Sequence, residues 1–170
     1  MELKRKPRLV ACGGRDNVYE RFVTRHSQSA GGYIAMWIDS EEPVINSDQT
    51  WEHLHNVTTV RAWERPQDAQ DDQVLFMTTC METWIVADRA ALRDHYRNDL
   101  QETALPSLVD LENRQRHLVQ DQLEHATRNC QNAYKKGKRS FEIFGRLNPR
   151  TLEEHLQSFA RIRRILNAKL

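Results

Sequence analysis

The sequence has few cysteines, almost no net charge and no long apolar run. Its three cysteines, Cys12, Cys80 and Cys130, lie far apart and include no Cys-x-x-Cys pair, which argues against both a disulfide framework and a zinc knuckle. The formal net charge of +1 gives no overall attraction to nucleic acid, so binding of that kind would need local clusters of basic residues. No apolar segment is long enough to cross a bilayer, and we expect no membrane association.

The length of 170 residues predicts one domain with a core of its own. Within it, residues 1–100 are expected to form an α/β core and residues 101–170 a helical extension. The apolar segment from Leu9 to Cys12 follows a basic start but is too short for a secretory signal. We therefore expect the protein to be cytoplasmic.

An uninterrupted apolar run ends at Ile38, just before the acidic sequence Asp39-Ser40-Glu41. Such a short run without alternation predicts a strand that is covered on both faces, as in a parallel sheet. Upstream, residues 8–12 are predicted to form a strand, followed by a helix to about Ser27 that Asp16 or Asn17 can cap. Strands joined by a helix normally run parallel in one sheet.

The remaining elements predict an α/β fold: a small, mostly parallel sheet flanked by helices, with a helical carboxy-terminal half. A long loop after Ser40 carries a short helix, and a second apolar run predicts another strand. Helical patterns then follow to the end of the chain. In order, these elements are the helix 51–54, the strand 74–79, the helices 81–88, 89–96, 116–129 and 151–156, and a final amphipathic helix through Ile162 and Leu166.

Asp39 and Glu41 are the first candidate site residues. The two residues are two positions apart, so in an extended chain their side chains point to the same side. Carboxylate oxygens at the end of a strand suit Mg²⁺ or Mn²⁺, so both residues are candidate metal ligands. The alternative is a solvated turn, because Asp-Ser before a proline is ordinary turn chemistry.

Glu82 and Asp88 follow the second apolar run in a largely apolar segment. A carboxylate in such surroundings is usually paired or bound to a ligand. Asp88 is better explained as a cap of the helix 89–96. Glu82 has no such explanation, and we assign it to the candidate catalytic site with Asp39 and Glu41.

A basic turn runs from Lys135 to Arg139 and could contact a phosphate backbone. Its candidate nucleic-acid-binding residues are Lys136, Lys138 and Arg139, with a solvated basic face as the alternative. Gly13-Gly14-Arg15 follows a predicted strand, but neither the G-x-G-x-x-G nor the Walker pattern is present. The segment is therefore only a weak candidate for a nucleotide site.

Several segments together resemble a bacterial Toprim-like family of unknown function, found among phage-defence and mobile-element genes. The similarity covers nearly the whole chain, and its more specific blocks are Cys80-Met81-Glu82-Thr83-Trp84 and Lys136-Gly137-Lys138-Arg139-Ser140-Phe141. Further matching blocks are residues 7–15, 38–41 with 43–44, 51–54, 87–88 and the closing helix.

The resemblance implies a sheet that joins an acid-x-acid pair, here Asp39 and Glu41, to a glutamate on an earlier strand. Together such acids bind Mg²⁺ to cut or join nucleic acid. In the resembled family a strand with a Glu-Gly-Gly-like turn precedes the block at Pro7–Arg15, and the present sequence lacks it. This difference leaves two expectations: a metal-dependent nuclease, or a non-catalytic interaction or regulatory module of a bacterial defence system.

The missing strand also bears on partners. A sheet without an inner strand exposes an edge that must be covered or paired. We therefore expect either a homo-oligomer or a strand supplied by a partner protein, in addition to nucleic acid.

Overall fold

Two short strands pair in parallel at the centre of the protein. The computed structural model describes residues 5–28, 31–57 and 63–170. β1 (Met36–Asp39) and β2 (Val74–Met77) align with Met36 opposite Val74 and Asp39 opposite Met77. The connection between them contains a helix, which is the arrangement that parallel strands require. The predicted mixed α/β class with a small parallel sheet is confirmed.

Helices surround this pair of strands. In chain order, the α-helices of the described residues are α1 (Arg15–Gln28), α2 (Thr50–Val57), α3 (Met81–Ala87), α4 (Arg89–Tyr96), α5 (Arg116–Thr127), α6 (Lys138–Phe144), α7 (Pro149–His155) and α8 (Gln157–Lys169). All the helices predicted from the sequence are present, whereas α6 was not predicted.

Side-chain alternation along the strands divides the core into two clusters. Met36 and Ile38 of β1, with Val74 and Phe76 of β2, pack against buried residues of α1 and α2. The intervening Trp37, Leu75 and Met77 join the cluster built by helices α3 to α8. Both faces of the sheet are therefore covered, as the unbroken apolar run predicts.

The larger cluster is centred on α3, in which every residue is buried. The Trp84 ring lies 5.7 Å from that of Trp37 and 5.0 Å from that of Phe159, in tilted and edge-to-face contacts that are typical of favourable aromatic packing. Buried members of this cluster range from Leu75 to Ile165. The larger cluster consequently joins the α/β part to the helical part.

A buried arginine ties the last helix to the sheet. Arg161 of α8 donates from Nη1 to the carbonyl of Val74 at 3.0 Å and from Nη2 to the carbonyl of Asp71 at 2.9 Å. The side chain is 9% exposed. Its two hydrogen bonds satisfy backbone acceptors at the start of β2.

The predicted strand at residues 8–12 is wrong. These residues have no regular structure, and Leu9 and Val10 are 74% and 45% exposed. A strand persists only where a neighbour satisfies its backbone groups, and β1 pairs with β2 instead. The predicted strand-helix-strand unit at residues 8–38 is therefore absent, and the parallel pair is formed by β1 and β2, with α2 between them in the chain.

Local capping explains two helix starts. Asp88 accepts a hydrogen bond from the Ala91 backbone at 3.0 Å, which confirms its predicted role as the cap of α4. α7 begins at Pro149, two residues before the predicted Thr151. Asn148 caps it, and proline suits a first helical position because no N–H is needed there.

None of the helices within the described residues combines the length and the apolar character needed to span a membrane.

Candidate functional site

The candidate site lies where β1 and β2 end. Backbone hydrogen bonds continue past the last strand residues, from Ser40 N to Met77 O at 3.2 Å and from Glu41 N to Thr79 O at 2.9 Å. This edge is the carboxyl end of a parallel pair, the position at which functional groups of α/β sheets collect. Alternation along β1 sends Asp39 to the same side as Trp37, toward α3.

Asp39 has a buried carboxylate oxygen and a raised pKa. Its Oδ1 atom is buried and has no hydrogen-bond partner among the described residues. Burial and the negative charge of Glu82 raise the pKa of Asp39 to about 6, although Lys136, the Met81 N–H and Arg116 act in the opposite direction. A buried, unpartnered carboxylate oxygen costs free energy unless a ligand or cation satisfies it.

Glu82 is fully buried at the start of α3, yet it stays ionised. The Tyr134 hydroxyl donates to its Oε1 at 2.5 Å, and the Gln120 amide donates to its Oε2 at 3.1 Å. Burial alone would raise the pKa of Glu82, but these two donors and the charge of Lys136 bring it below the usual value. A fixed negative charge therefore lies beside Asp39.

Glu41 turns away from the line of the strand. Its φ of 71° lies in the left-handed region, so the extended geometry that would align it with Asp39 stops at Ser40. Arg116 of α5 forms an ion pair with Glu41. The structure thus places Asp39 with Glu82 and Glu41 with Arg116, and metal binding by Glu41 stays a prediction.

His53 of α2 supports the turn that follows β1. Its Nε2 lies 3.0 Å from the carbonyl oxygen of Ser40, and the Ser40 hydroxyl donates to the carbonyl of Glu42 at 2.7 Å. Burial lowers the pKa of His53. These contacts fix the backbone just beyond Asp39.

The acids present a small ligand set for a metal. Within residues 5–28, 31–57 and 63–170, no three His, Cys, Asp or Glu side chains group closely enough to hold an ion. Mg²⁺, however, is often bound by one or two carboxylates, with water and substrate phosphates completing the coordination. The unpartnered Oδ1 of Asp39 fits that chemistry, and Glu82 adds negative charge nearby.

Basic residues reach the same edge. Lys136 is exposed, and its charge lowers the pKa of both Asp39 and Glu82. The structure thus brings one residue of the predicted basic turn to the acids. Lys138 and Arg139 begin α6, but their side chains lie outside what the structure describes, so their role stays a prediction.

The sequence analysis did not identify the residues that donate hydrogen bonds to Glu82. An acid in an apolar segment indicates that a partner exists, but Tyr134 lies 52 residues away and Gln120 lies 38 residues away. Arg116 and Arg15 also influence this edge. No local pattern reveals such contacts, because they arise from the packing of α5 and the following segment on α3.

Comparison with known families accounts for almost the whole chain. The sequence model of a family described as "Domain of unknown function (DUF4276)" matches residues 12–167. The chain belongs to this family. The DUF4276 match includes Asp39, Glu82 and Lys136 and spans both the α/β part and the helical part. Searches of curated proteins and of solved structures each found no match.

Proposed function

We propose that this DUF4276 domain holds a divalent cation, Mg²⁺ or Mn²⁺, at Asp39 and cleaves the phosphodiester backbone of nucleic acid. The observation that carries the proposal is the buried Oδ1 of Asp39, which has no hydrogen-bond partner among the described residues. The resemblance of the sequence to Toprim-like proteins of phage-defence loci supports the same activity and suggests a defence system as its setting.

Each side chain has a part in this proposal. Asp39 supplies a carboxylate ligand, and Glu82 adds a fixed negative charge that attracts a cation to the site. Lys136 contacts substrate phosphates at the exposed rim, with Lys138 and Arg139 as further candidates. Mg²⁺ or Mn²⁺ bound here would polarise a phosphodiester and lower the pKa of an attacking water.

Glu41 and Arg116 form a pair that limits the site on one side. While the pair is closed, Arg116 neutralises Glu41 and keeps a positive group near the acids. Opening it would free one carboxylate for the cation and one guanidinium for a phosphate. Arg116 is 46% exposed, so opening exposes no deeply buried charge.

The test is a comparison of wild type, Asp39→Asn and the matched control Asp94→Asn, which changes an exposed aspartate of α4. Thermal unfolding with and without Mn²⁺ reports binding. At a free metal concentration 100 times the dissociation constant, binding stabilises the folded state by about 2.7 kcal/mol. Cleavage of plasmid and single-stranded oligonucleotides reports activity.

We expect wild type and Asp94→Asn to show the Mn²⁺ shift and cleavage, and Asp39→Asn to lose both. An equal shift in all three proteins would remove Asp39 from the site. Wild type without any metal shift or cleavage would favour the alternative, a non-catalytic interaction module.

A further inference from the structure

Arg15, the first residue of α1, has two buried donors without acceptors. Its Nε and Nη2 atoms are shielded from solvent and form no hydrogen bond with the described residues. Its guanidinium carbon lies 4.7 Å from the ring centroid of Trp63. Trp63 in turn stacks on Tyr19 at 4.6 Å and 8°, so one face of α1 holds this indole against both residues.

The two unpartnered atoms are adjacent on one edge of the guanidinium. Their N–H bonds point in nearly the same direction, and this fork matches two oxygens of a phosphate or carboxylate. Contact with the Trp63 face restricts the plane of the group. The arrangement therefore holds an aligned pair of buried donors at the start of α1.

The charged groups around Arg15 indicate which kind of ligand suits this fork. Burial lowers the pKa of Arg15 and the like charge of Arg116 adds to that effect, whereas Asp39 and Asp16 oppose it. Asp39 is close enough to act electrostatically, yet its Oδ1 also has no partner among the described residues. Unpaired donors of a charged group and an unpaired carboxylate oxygen at one edge are both costly.

One ligand chemistry satisfies both groups. An anion with two oxygens would occupy the Arg15 fork, and a cation beside Asp39 would remove the repulsion between that anion and the carboxylate. A phosphodiester has two non-bridging oxygens, which suit a bidentate guanidinium.

We infer that Arg15 binds one phosphate of the substrate through Nε and Nη2, with Trp63 holding the guanidinium plane. The inference rests on the proposed function, since it names the residue that anchors the phosphodiester next to the cation. Arg15 thereby becomes a substrate-contacting residue of the site.

The experiment compares Arg15→Lys and Arg15→Gln with Arg21→Lys, a matched change at an exposed arginine of the same helix. The probe is a short fluorescein-labelled single-stranded oligonucleotide, with Ca²⁺ in place of Mg²⁺ to limit cleavage. Affinity is measured across a series of salt concentrations, and the Mn²⁺ thermal shift is recorded for every variant.

We expect Arg15→Lys to weaken oligonucleotide binding about tenfold, because the charge remains while the bidentate fork is lost. The slope of log affinity against log salt concentration should be the same for Arg15→Lys and wild type. For Arg15→Gln this slope should be shallower by about one phosphate contact. The Mn²⁺ shift should remain in Arg15→Lys, and Arg21→Lys should resemble wild type.

Equal affinity in Arg15→Lys and Arg21→Lys would overturn the inference. If wild type lacks the Mn²⁺ shift while Arg15→Lys still loses affinity, the cation proposal fails and the phosphate contact stands. Should the Arg15 variants fail to fold, NMR of the arginine Nε–H signals of wild type decides the matter. A shift of the Arg15 signal on adding oligonucleotide supports the contact, and an unchanged signal overturns it.

Discussion

Asp39 and Glu82 are neighbouring acids with opposite titration behaviour. Glu82 receives two side-chain hydrogen bonds and has a lowered pKa. Asp39 keeps an unpartnered oxygen, and its pKa rises to about 6. Such a division is typical of sites in which one carboxylate stays charged while its neighbour exchanges a proton or a cation.

The raised pKa of Asp39 predicts a pH-dependent cost to the metal-free protein. Between its unfolded value of 3.8 and the folded value of about 6, the folded state binds more protons than the unfolded state. The free energy of unfolding contributed by this group therefore falls as pH rises through that window. We expect Asp39→Asn to be more stable than wild type at pH 7.5 by roughly 1 to 3 kcal/mol.

Urea unfolding in EDTA at pH 7.5 and pH 4 measures this effect as the difference between variant and wild type. The difference should shrink toward zero at pH 4, where Asp39 is protonated in the folded state. Asp94→Asn, at an exposed position of α4, is measured in parallel as the matched control. A difference that is the same at both pH values would contradict the assignment to Asp39.

At the scale of elements, the segment between α5 and α6 delivers a donor to α3. The Tyr134 backbone N–H donates to Thr127 Oγ1 at 2.9 Å, and its hydroxyl reaches Glu82. Burial and hydrogen bonding to the ionised Glu82 raise the pKa of Tyr134, so the hydroxyl keeps its proton for this bond. The segment fixes Glu82 in its charged form.

Tyr134→Phe removes that hydroxyl and leaves a buried carboxylate oxygen without its donor. We expect a loss of about 1 to 3 kcal/mol in the free energy of unfolding, since the acceptor is charged and buried. The control is Tyr19→Phe, whose hydroxyl donates to the Glu64 carbonyl at an exposed position, at 2.8 Å. Urea denaturation should give a smaller loss for Tyr19→Phe, and equal losses would show that Glu82 does not need Tyr134.

The elements also show which features a sequence can predict. α4 was predicted with its bounds because Asp88 and the helical pattern are local signals. The strand at residues 8–12 failed because strand formation depends on a neighbour that the pattern does not identify. Asp39 was predicted as a candidate site residue from its place after an apolar run, but the position of Glu82 near it depends on the packing of α3 against the sheet.

At the scale of the whole molecule, two apolar clusters share the two-stranded sheet of the described residues. Leu54 of α2 and Leu123 of α5 are both fully buried, one in each cluster. Neighbouring residues of each strand belong to different clusters, so loosening one cluster disturbs the other through β1 and β2. We infer that the two clusters unfold together.

Leu54→Ala and Leu123→Ala should each lower the free energy of unfolding by about 2 to 5 kcal/mol, because each leaves a cavity in a packed core. Leu118→Ala on α5 is the control, since Leu118 is 48% exposed. Near-ultraviolet circular dichroism follows the tryptophans and the far-ultraviolet signal follows the helices. Both signals should give one coincident urea transition in every variant, and separate transitions would show that the clusters unfold independently.

The bond between Arg161 and the residues at the start of β2 has a consequence for biosynthesis. It joins positions 90 residues apart, Asp71 and Arg161. During translation, β1 and β2 leave the ribosome long before α8 does. The backbone carbonyls of Asp71 and Val74 therefore cannot accept hydrogen bonds from Arg161 until that helix has emerged. The amino-terminal end of β2 therefore gains these two hydrogen bonds only after α8 has docked.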